Sequence, residues 1–177
     1  GYALAKIMTM RLCEYINRED PKARFKTLIP CNLYGPHDKF DPKYSHLIPA
    51  IIHKIHQAKT EGAQNVEIWG NGKARREFMY TPDLADAVLR AANDIEACPE
   101  LINIGLGYDF TINEYYSEVA DIIDWQGKFT HDLTRPVGMH QKLCDVRSAT
   151  KWGWSAPTSL RAGIEKTYRF YCERYGK

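Results

Sequence analysis

The stretch Phe25-Lys26-Thr27-Leu28-Ile29-Pro30-Cys31-Asn32 decides the fold class, because an apolar run of strand-forming residues ends there in turn-forming ones. Residues 25–29 are predicted to form a short buried strand. The preceding residues 2–17 repeat apolar side chains at helical spacing without Gly or Pro, which predicts a largely buried helix. A helix, a strand and a polar loop in this order indicate an α/β fold. The predicted loop carries Gly35, Pro36, Asp38 and Pro42.

The rest of the chain continues the alternation of helices and strands. Another helix is expected to begin at Thr81-Pro82-Asp83 with Thr81 as its capping side chain, and Thr111 and Glu114 form a capping box. This order predicts a single α/β unit over residues 1–177, with interleaved lobes rather than two independent domains. Further helices are predicted at residues 45–59, 111–124 and 160–174, and extended segments at residues 66–69, 77–80 and 101–104.

The composition argues against several classes of protein. The 177 residues carry 24 Lys and Arg against 22 Asp and Glu, whereas a nucleic-acid-binding protein usually shows a marked basic excess on one face. No window reaches the ~18 uncharged apolar residues of a membrane span, so we expect a cytoplasmic protein without membrane contact. The five cysteines are widely spaced and form no Cys-x-x-Cys pair, which predicts neither a disulfide framework nor a zinc ribbon.

Tyr2 and Lys6 are the sharpest candidates for catalysis. They stand four residues apart in a predicted helix, about 40° apart around its axis, so both side chains project from one face. An ammonium group beside a phenol stabilises the phenolate, which suits the phenol to pass a proton to a carbonyl oxygen as a hydride arrives. Tyr-x-x-x-Lys also occurs by chance in many helices, so an ordinary surface pair is the alternative.

Asn32 and His46 are further candidates near the first predicted strand. Asn32 follows the carboxyl end of that strand, where ligands gather in open α/β sheets, although Asn beside Gly and Pro is equally typical of a plain turn. His46 titrates near neutral pH and is a candidate general acid, with a surface histidine as the alternative. His53 and His56 stand three apart, but no nearby acid or cysteine completes a metal-ligand set.

Trp69 and Arg76 are candidate contacts for a nucleotide, because an aromatic face suits a base and a guanidinium suits a phosphate. The alternative is a core tryptophan beside a solvated charge run. Residues 105–110 look like a dinucleotide-binding fingerprint, but Phe110 replaces the third glycine and would block close helix packing. Since no other phosphate-cradling loop is found and a helical pattern is already under way at Tyr2, we expect the sequence to be a fragment.

Several motifs follow one another along the chain. They are Tyr2-Ala-Leu-Ala-Lys6, Asn32-Leu33-Tyr34-Gly35-Pro36-His37-Asp38, Ser45-His46-Leu47-Ile48-Pro49-Ala50, Ile68-Trp69-Gly70, Arg76-Glu77-Phe78 and Lys142-Leu143-Cys144-Asp145. In this order they resemble the GDP-L-fucose synthase family of extended short-chain dehydrogenase/reductases. The likeness runs over nearly the whole chain and is more specific than any single motif. It implies the C-terminal portion of a Rossmann-type homodimeric enzyme whose N-terminal dinucleotide-binding half is absent here.

The resemblance implies an NADP-dependent enzyme that epimerises GDP-4-keto-6-deoxy-mannose at two carbons and then reduces its 4-keto group. It implies that Tyr2 is the proton donor, that Lys6 holds the nicotinamide ribose, and that His46 is the acid partner in epimerisation. The intact protein is then an enzyme, and the 177 residues alone are expected to be inactive. The implied cofactor contacts are Lys6, Pro30, Cys31, Asn32, Leu33 and His46, and the implied GDP-sugar contacts are Asn32, Lys54, Trp69 and Arg76.

Two residues depart from the pattern of that family. Lys54 stands where the family often has an arginine, and Val137 stands where it has an aspartate against the substrate. Two alternatives therefore stay open. One is a related nucleotide-sugar 4-ketoreductase or epimerase, and the other is a non-catalytic fragment that binds a nucleotide-sugar or a partner subunit.

Overall fold

The computed structural model describes residues 1–41 and 44–176, and Pro42 of the predicted loop lies outside this part. Helices alternate with strands that pair mainly in parallel, which confirms the α/β class. The helices are α1 (Tyr2–Glu19), α2 (Leu47–Glu61), α3 (Thr81–Asn93), α4 (Ile112–Ile123), α5 (Arg147–Lys151) and α6 (Leu160–Tyr175). The strands are β1 (Thr27–Pro30), β2 (Asn32–Tyr34), β3 (Asn65–Trp69), β4 (Arg75–Arg76), β5 (Phe78–Tyr80), β6 (Leu101–Ile104), β7 (Phe110–Thr111), β8 (Lys128–Asp132) and β9 (Gln141–Lys142).

Three parallel strand pairs and one three-stranded sheet make up the β structure of the described residues. β1 pairs with β6, β2 with β5, and β3 with β8, while β4 lies between antiparallel β7 and parallel β9. The larger core lies between α2, β3, α4 and α6, and it buries Ile48, Ile51, Ile52, Ile55, Tyr115 and Ile164. A smaller core beside β6 buries Met79, Ala87, Ile102, Ile104 and Trp154.

Capping side chains were predicted at the N-termini of α3 and α4, and the structure confirms one of the two. The Thr111 hydroxyl accepts from the Glu114 N–H at 3.1 Å and the Glu114 carboxylate accepts from the Thr111 N–H at 2.6 Å, which confirms the capping box. The predicted cap at Thr81 is wrong. Thr81 lies inside α3, and its hydroxyl donates to the Tyr34 carbonyl at 3.0 Å, which ties α3 to β2.

The first strand differs from the prediction in position and in burial. The Asn17 side-chain nitrogen donates to the Phe25 carbonyl, and its side-chain oxygen accepts from the Phe25 N–H, each at 2.9 Å. Both backbone groups of Phe25 are therefore bonded to Asn17 rather than to a neighbouring strand, and the strand begins at Thr27. β1 is only partly buried, and the predicted loop continues instead as β2. Pro30 is tolerated because the neighbouring Cys31 N–H donates to β6, so position 30 faces away from that partner strand.

Helix α1 forms as predicted, but the predicted burial is wrong for the described residues. None of its residues is buried, and the exposed apolar side chains are Tyr2, Leu4, Ile7, Met8, Leu12 and Tyr15. A cleft of about 210 Å³ lies between α1 and residues 25–27 and 100–101, and it is lined by Met10, Cys13 and Leu101 among others. Within residues 1–41 and 44–176, neither α1 nor any other helix is long and apolar enough to cross a membrane.

Candidate active site

A cavity of about 500 Å³ opens between one face of α2, the end of β3, the start of α4 and residues 136–138. Four of the predicted site residues line it, namely His46, Lys54, Trp69 and Arg76. A volume of this order suits a small-molecule ligand. The structure therefore brings together three of the four predicted substrate contacts, Lys54, Trp69 and Arg76, with the predicted catalytic residue His46, from separate segments of the chain.

Helix α2 presents a polar row to this cavity. His46 caps the helix in an extended conformation, and His53, Lys54 and Gln57 follow at intervals that place them on one helical face. The opposite face buries Ile48, Ile51, Ile52 and Ile55 in the larger core. Burial of the isoleucines therefore turns His46 and Lys54 toward the cavity.

The cavity wall is cationic. None of the described residues that line it is Asp or Glu, whereas Lys54 and Arg76 both contribute to it. The Lys54 ammonium donates to the Glu67 carbonyl. Burial lowers the pKa of Lys54, and the negative charge of Glu67 offsets part of this effect. Nη1 of Arg76 donates to the carbonyls of Arg75 and Met139 at 2.7 and 2.6 Å. Because a guanidinium has five N–H donors, an anion in the cavity still finds donors on Arg76.

His53 is a cavity residue that sequence reasoning considered only as a metal ligand. Its Nδ1 lies 2.9 Å from the Tyr171 hydroxyl, and Nδ1 of His56 lies 3.0 Å from the Tyr168 hydroxyl. Across the described residues, no three His, Cys, Asp or Glu side chains are grouped so that they could hold a metal ion. The seven-residue spacing from His46, two helical turns, is the sequence signal that places His53 beside the same cavity.

Tyr2 and Lys6 share one exposed side of α1, as their spacing predicts. The Lys6 ammonium nitrogen lies 5.6 Å from the centroid of the Tyr2 ring. Neither residue lines the cavity, and Asn32 does not line it either. The structure therefore does not bring these three residues together with His46 in this cavity.

The residues predicted to line the nicotinamide lie where β1 passes into β2. The Asn32 amide nitrogen donates at 2.9 Å to the carbonyl of Glu77, the residue just before β5, and this bond holds the side chain in place. Burial raises the pKa of the Cys31 thiol to about 12. Cys31 therefore stays a neutral thiol near neutral pH, while Pro30 and Leu33 contribute apolar surface.

The turn at residues 105–107 does not fit the phosphates of a dinucleotide. The N–H groups of Leu106 and Gly107 donate to Oε1 of Glu77 at 2.5 and 3.0 Å, and Glu77 is only 1% exposed. A phosphate needs such free amides, and a buried carboxylate repels it. Tyr2 and Lys6 present a phenol and an ammonium, both hydrogen-bond donors, on an exposed side of α1.

Comparison with known proteins agrees with the motif resemblance. The chain matches the NAD dependent epimerase/dehydratase family over residues 1–105. It is 52% identical to the GDP-L-colitose synthase of Yersinia pseudotuberculosis over an alignment of 171 residues. This alignment covers 97% of this chain and 56% of that protein. It is 50% identical to the GDP-L-fucose synthase of Azorhizobium caulinodans, covering 97% of this chain and 54% of that protein.

A solved structure shares the fold. The GDP-mannoheptose C4 reductase from Campylobacter jejuni, determined with NADP bound, matches with a TM-score of 0.83 and 30% sequence identity over 95% of this chain and 58% of that chain. The chain thus spans little more than half the length of each of these relatives. The predicted resemblance to GDP-L-fucose synthases and the predicted fold class are confirmed. On the match over residues 1–105, the chain belongs to the NAD dependent epimerase/dehydratase family.

Proposed function

We propose that the protein is an NADP-dependent epimerase and reductase of a GDP-sugar, with GDP-4-keto-6-deoxy-mannose as its substrate. The observation that carries this proposal is the cationic cavity in which Trp69, Lys54 and Arg76 lie together with His46. An aromatic face and two cations suit the base and the diphosphate of a nucleotide-sugar. The names of the relatives support guanosine diphosphate as the nucleotide.

An unpaired hydroxyl in the cavity wall also supports a polar ligand. Ser45 lines the cavity beside His46, and its buried Oγ has no hydrogen-bond partner among the described residues. A buried polar group left without a partner costs about 1–3 kcal/mol. Rotation of the Ser45 side chain toward a sugar hydroxyl or a phosphate oxygen would remove that cost.

In this proposal, Tyr2 donates its phenolic proton to the keto oxygen of the substrate, and Lys6 stabilises the phenolate that remains. NADPH, when bound, supplies the hydride to the keto carbon. Lys6 also holds the nicotinamide ribose, and His46 acts as the acid in epimerisation. The distance of 5.6 Å from the Lys6 nitrogen to the Tyr2 ring supports this pairing. The backbone and side chains of Pro30, Cys31, Asn32 and Leu33, together with His46, are assigned to the cofactor.

The assembly of the protein is part of the same proposal. We assign residues 1–177 to one α/β unit of a cytoplasmic homodimer that binds a small ligand and neither nucleic acid nor membrane. The exposed apolar side chains of α1, among them Leu4, Met8 and Leu12, support its burial against a further protein surface. The near balance of 24 basic and 22 acidic residues supports a small ligand over nucleic acid.

A reductase of a related GDP-sugar is the second candidate, and Val137 favours it. The Val137 side chain lines the cavity, and its Cγ2 lies 3.2 Å from the position that a Cβ on Gly70 would take. An apolar wall gives a sugar hydroxyl no hydrogen-bond partner, so a keto sugar with one ring hydroxyl fewer fits it better. The 52% identity to a GDP-L-colitose synthase supports the same candidate.

A reduction assay on the full-length protein separates these functions. We expect NADPH oxidation with GDP-4-keto-6-deoxy-mannose. Faster turnover of an analogue that lacks one ring hydroxyl would favour the second candidate. Binding of GDP without turnover of either sugar would show a non-catalytic nucleotide-sugar-binding protein.

The Tyr2→Phe variant tests the assignment of the proton donor. It should lower kcat by ~10² to 10⁴, the usual contribution of general acid catalysis. Its melting temperature should not change, because Tyr2 is 79% exposed. Tyr15→Phe is the matched control, since Tyr15 is another exposed tyrosine of α1, and it should keep the wild-type rate. Activity near wild type in Tyr2→Phe would show that another group donates the proton.

A further inference from the structure

The side chain of Arg135 covers part of the Trp69 ring. Its guanidinium carbon lies 4.8 Å from the ring centroid, and its Nε lies 3.3 Å from Oδ2 of Asp132. Trp69 lines the cavity, whereas Arg135 lies outside the cavity wall. The guanidinium therefore covers the ring from outside the cavity. Since Trp69 is 63% exposed, ring surface stays available to a ligand.

Contacts at the end of β8 place Arg135 over the ring. Asp132 stands opposite Trp69 in the register of β3 and β8, and its carbonyl accepts from the Gly70 N–H at 2.8 Å. Oδ1 of Asp132 accepts from the hydroxyl and the N–H of Thr134 at 2.6 and 3.0 Å. These bonds hold the pKa of the Asp132 carboxyl below its usual value, so the carboxylate is charged and pairs with Arg135. The turn thus brings Arg135 back over the end of β3.

When a ligand stacks on a tryptophan ring that nothing else holds, the tryptophan side chain loses rotamer freedom. This loss of side-chain entropy weakens binding. A planar guanidinium that is itself held by a carboxylate removes part of this cost in advance. We propose that Arg135 is a positioning residue that holds the Trp69 ring so that its cavity side receives the base of GDP. This inference rests on the proposed function, because it requires a nucleotide in the cavity.

Titration calorimetry of the full-length protein with guanosine, GMP and GDP tests this inference. Arg135→Gln removes the cation and should raise the Kd about two- to fivefold, the range expected for an exposed cation–π pair. The factor should be the same for all three ligands, because the lost contact acts on the base. Arg135→Lys keeps the charge without the flat guanidinium and should fall between wild type and Arg135→Gln. In the reduction assay, KM should rise while kcat stays constant.

A double-mutant cycle with Trp69→Leu identifies the group through which Arg135 acts. If Arg135 acts through Trp69, the change Arg135→Gln should have no further effect on the Kd of the Trp69→Leu protein. A loss that grows from guanosine to GDP and persists in the Trp69→Leu protein would overturn the inference. It would assign Arg135 to the phosphates instead.

Arg90→Gln is the matched control. The guanidinium carbon of Arg90 lies 5.1 Å from a Trp152 ring centroid, and neither residue lines the cavity. The Kd for GDP should not change in this variant, and thermal unfolding of every variant checks its fold. If the wild-type protein does not bind GDP, both this inference and the proposed function are overturned. If it binds GDP and Arg135→Gln leaves the Kd unchanged, this inference alone is overturned.

Discussion

The cavity and helix α1 carry two parts of the same predicted site, and they are built differently. The cavity residues of α2 stand opposite a buried face that contains Ile51, Ile52 and Ile55. Tyr2 and Lys6 stand on a helix of which no residue is buried. The core of the described residues therefore sets the positions of the cavity side chains. The relative position of the Tyr2 and Lys6 side chains depends only on their spacing along the helix.

This difference determines what each region needs in order to work. Side chains on a packed element are held by their neighbours, so the cavity has a defined shape without any further contact. A pair on an exposed helix points correctly only when the helix itself is held in place. The cavity is therefore the part of the site whose binding properties follow directly from the described residues.

Two matched truncations give the largest expected contrast between these regions. Ile52 is fully buried in α2, and Leu12 is 58% exposed in α1. Ile52→Ala should lower the free energy of unfolding by about 2–5 kcal/mol, as truncations of buried side chains do. In the 177-residue chain, in which Leu12 is exposed, Leu12→Ala should lower it by less than about 0.5 kcal/mol, whereas the full-length protein should lose more when a further protein surface covers α1 as proposed. Urea unfolding measures both values, and an equal loss in the two variants would show that α1 is covered by protein in solution.

Arg76→Gln tests the cavity as an anion site with a smaller effect. Hydrogen bonds to charged groups contribute about 1.5–3 kcal/mol, so KM for the GDP-sugar should rise roughly 10- to 100-fold. The variant should leave kcat nearly constant, because Arg76 is assigned to binding and not to proton transfer. Arg147→Gln is the control, since Arg147 is an exposed arginine that pairs with Asp145 outside the cavity. An unchanged KM in Arg76→Gln would remove this residue from the substrate site.

Local sequence was enough to predict the helices that pack around the cavity. The capping box at Thr111 and Glu114 depends on residues three apart, and apolar residues on one side of the predicted helix located α2. The first strand was misplaced because Asn17 binds the backbone of Phe25, a tertiary contact that propensity does not report. β8 was missed because Lys128–Asp132 is mainly polar and half exposed, without the apolar alternation of a typical strand.

Sequence motifs predicted His46, Trp69 and Arg76 as site residues, and the structure places these three around one cavity. His53 was considered only as a metal ligand, although its seven-residue spacing from His46 places it on the same helical face. Arg135 was not identified as a site residue, because its position over Trp69 depends on a contact between the turn after β8 and the end of β3. Periodicity likewise reports which face of a helix is apolar but not what covers it, which is why the burial of α1 was wrong.

The pH dependence of stability tests the packing of α2 on α6 with the smallest expected effect. Nδ1 of His56 lies 3.0 Å from the Tyr168 hydroxyl. Burial, followed by the charges of His53 and Lys59, lowers the pKa of His56. The unfolded chain, with an ordinary histidine pKa near ~6.5, therefore binds the proton at a higher pH than the folded chain does. Protonation thus favours the unfolded state, and the free energy of unfolding should fall as the pH is lowered through about 6.5.

Replacing His56 by Gln should flatten this dependence, because the titrating group on the packed face is then gone. His131→Gln is the control, since His131 is an exposed histidine that hydrogen-bonds to Asn113 outside the α2–α6 contact. It should keep the wild-type slope in urea unfolding measured at a series of pH values. An equal slope in His56→Gln and wild type would assign the dependence to other groups. A flattened slope in His56→Gln alone would show that the helix carrying His46 and Lys54 is held against α6 in solution, as the comparison with exposed α1 requires.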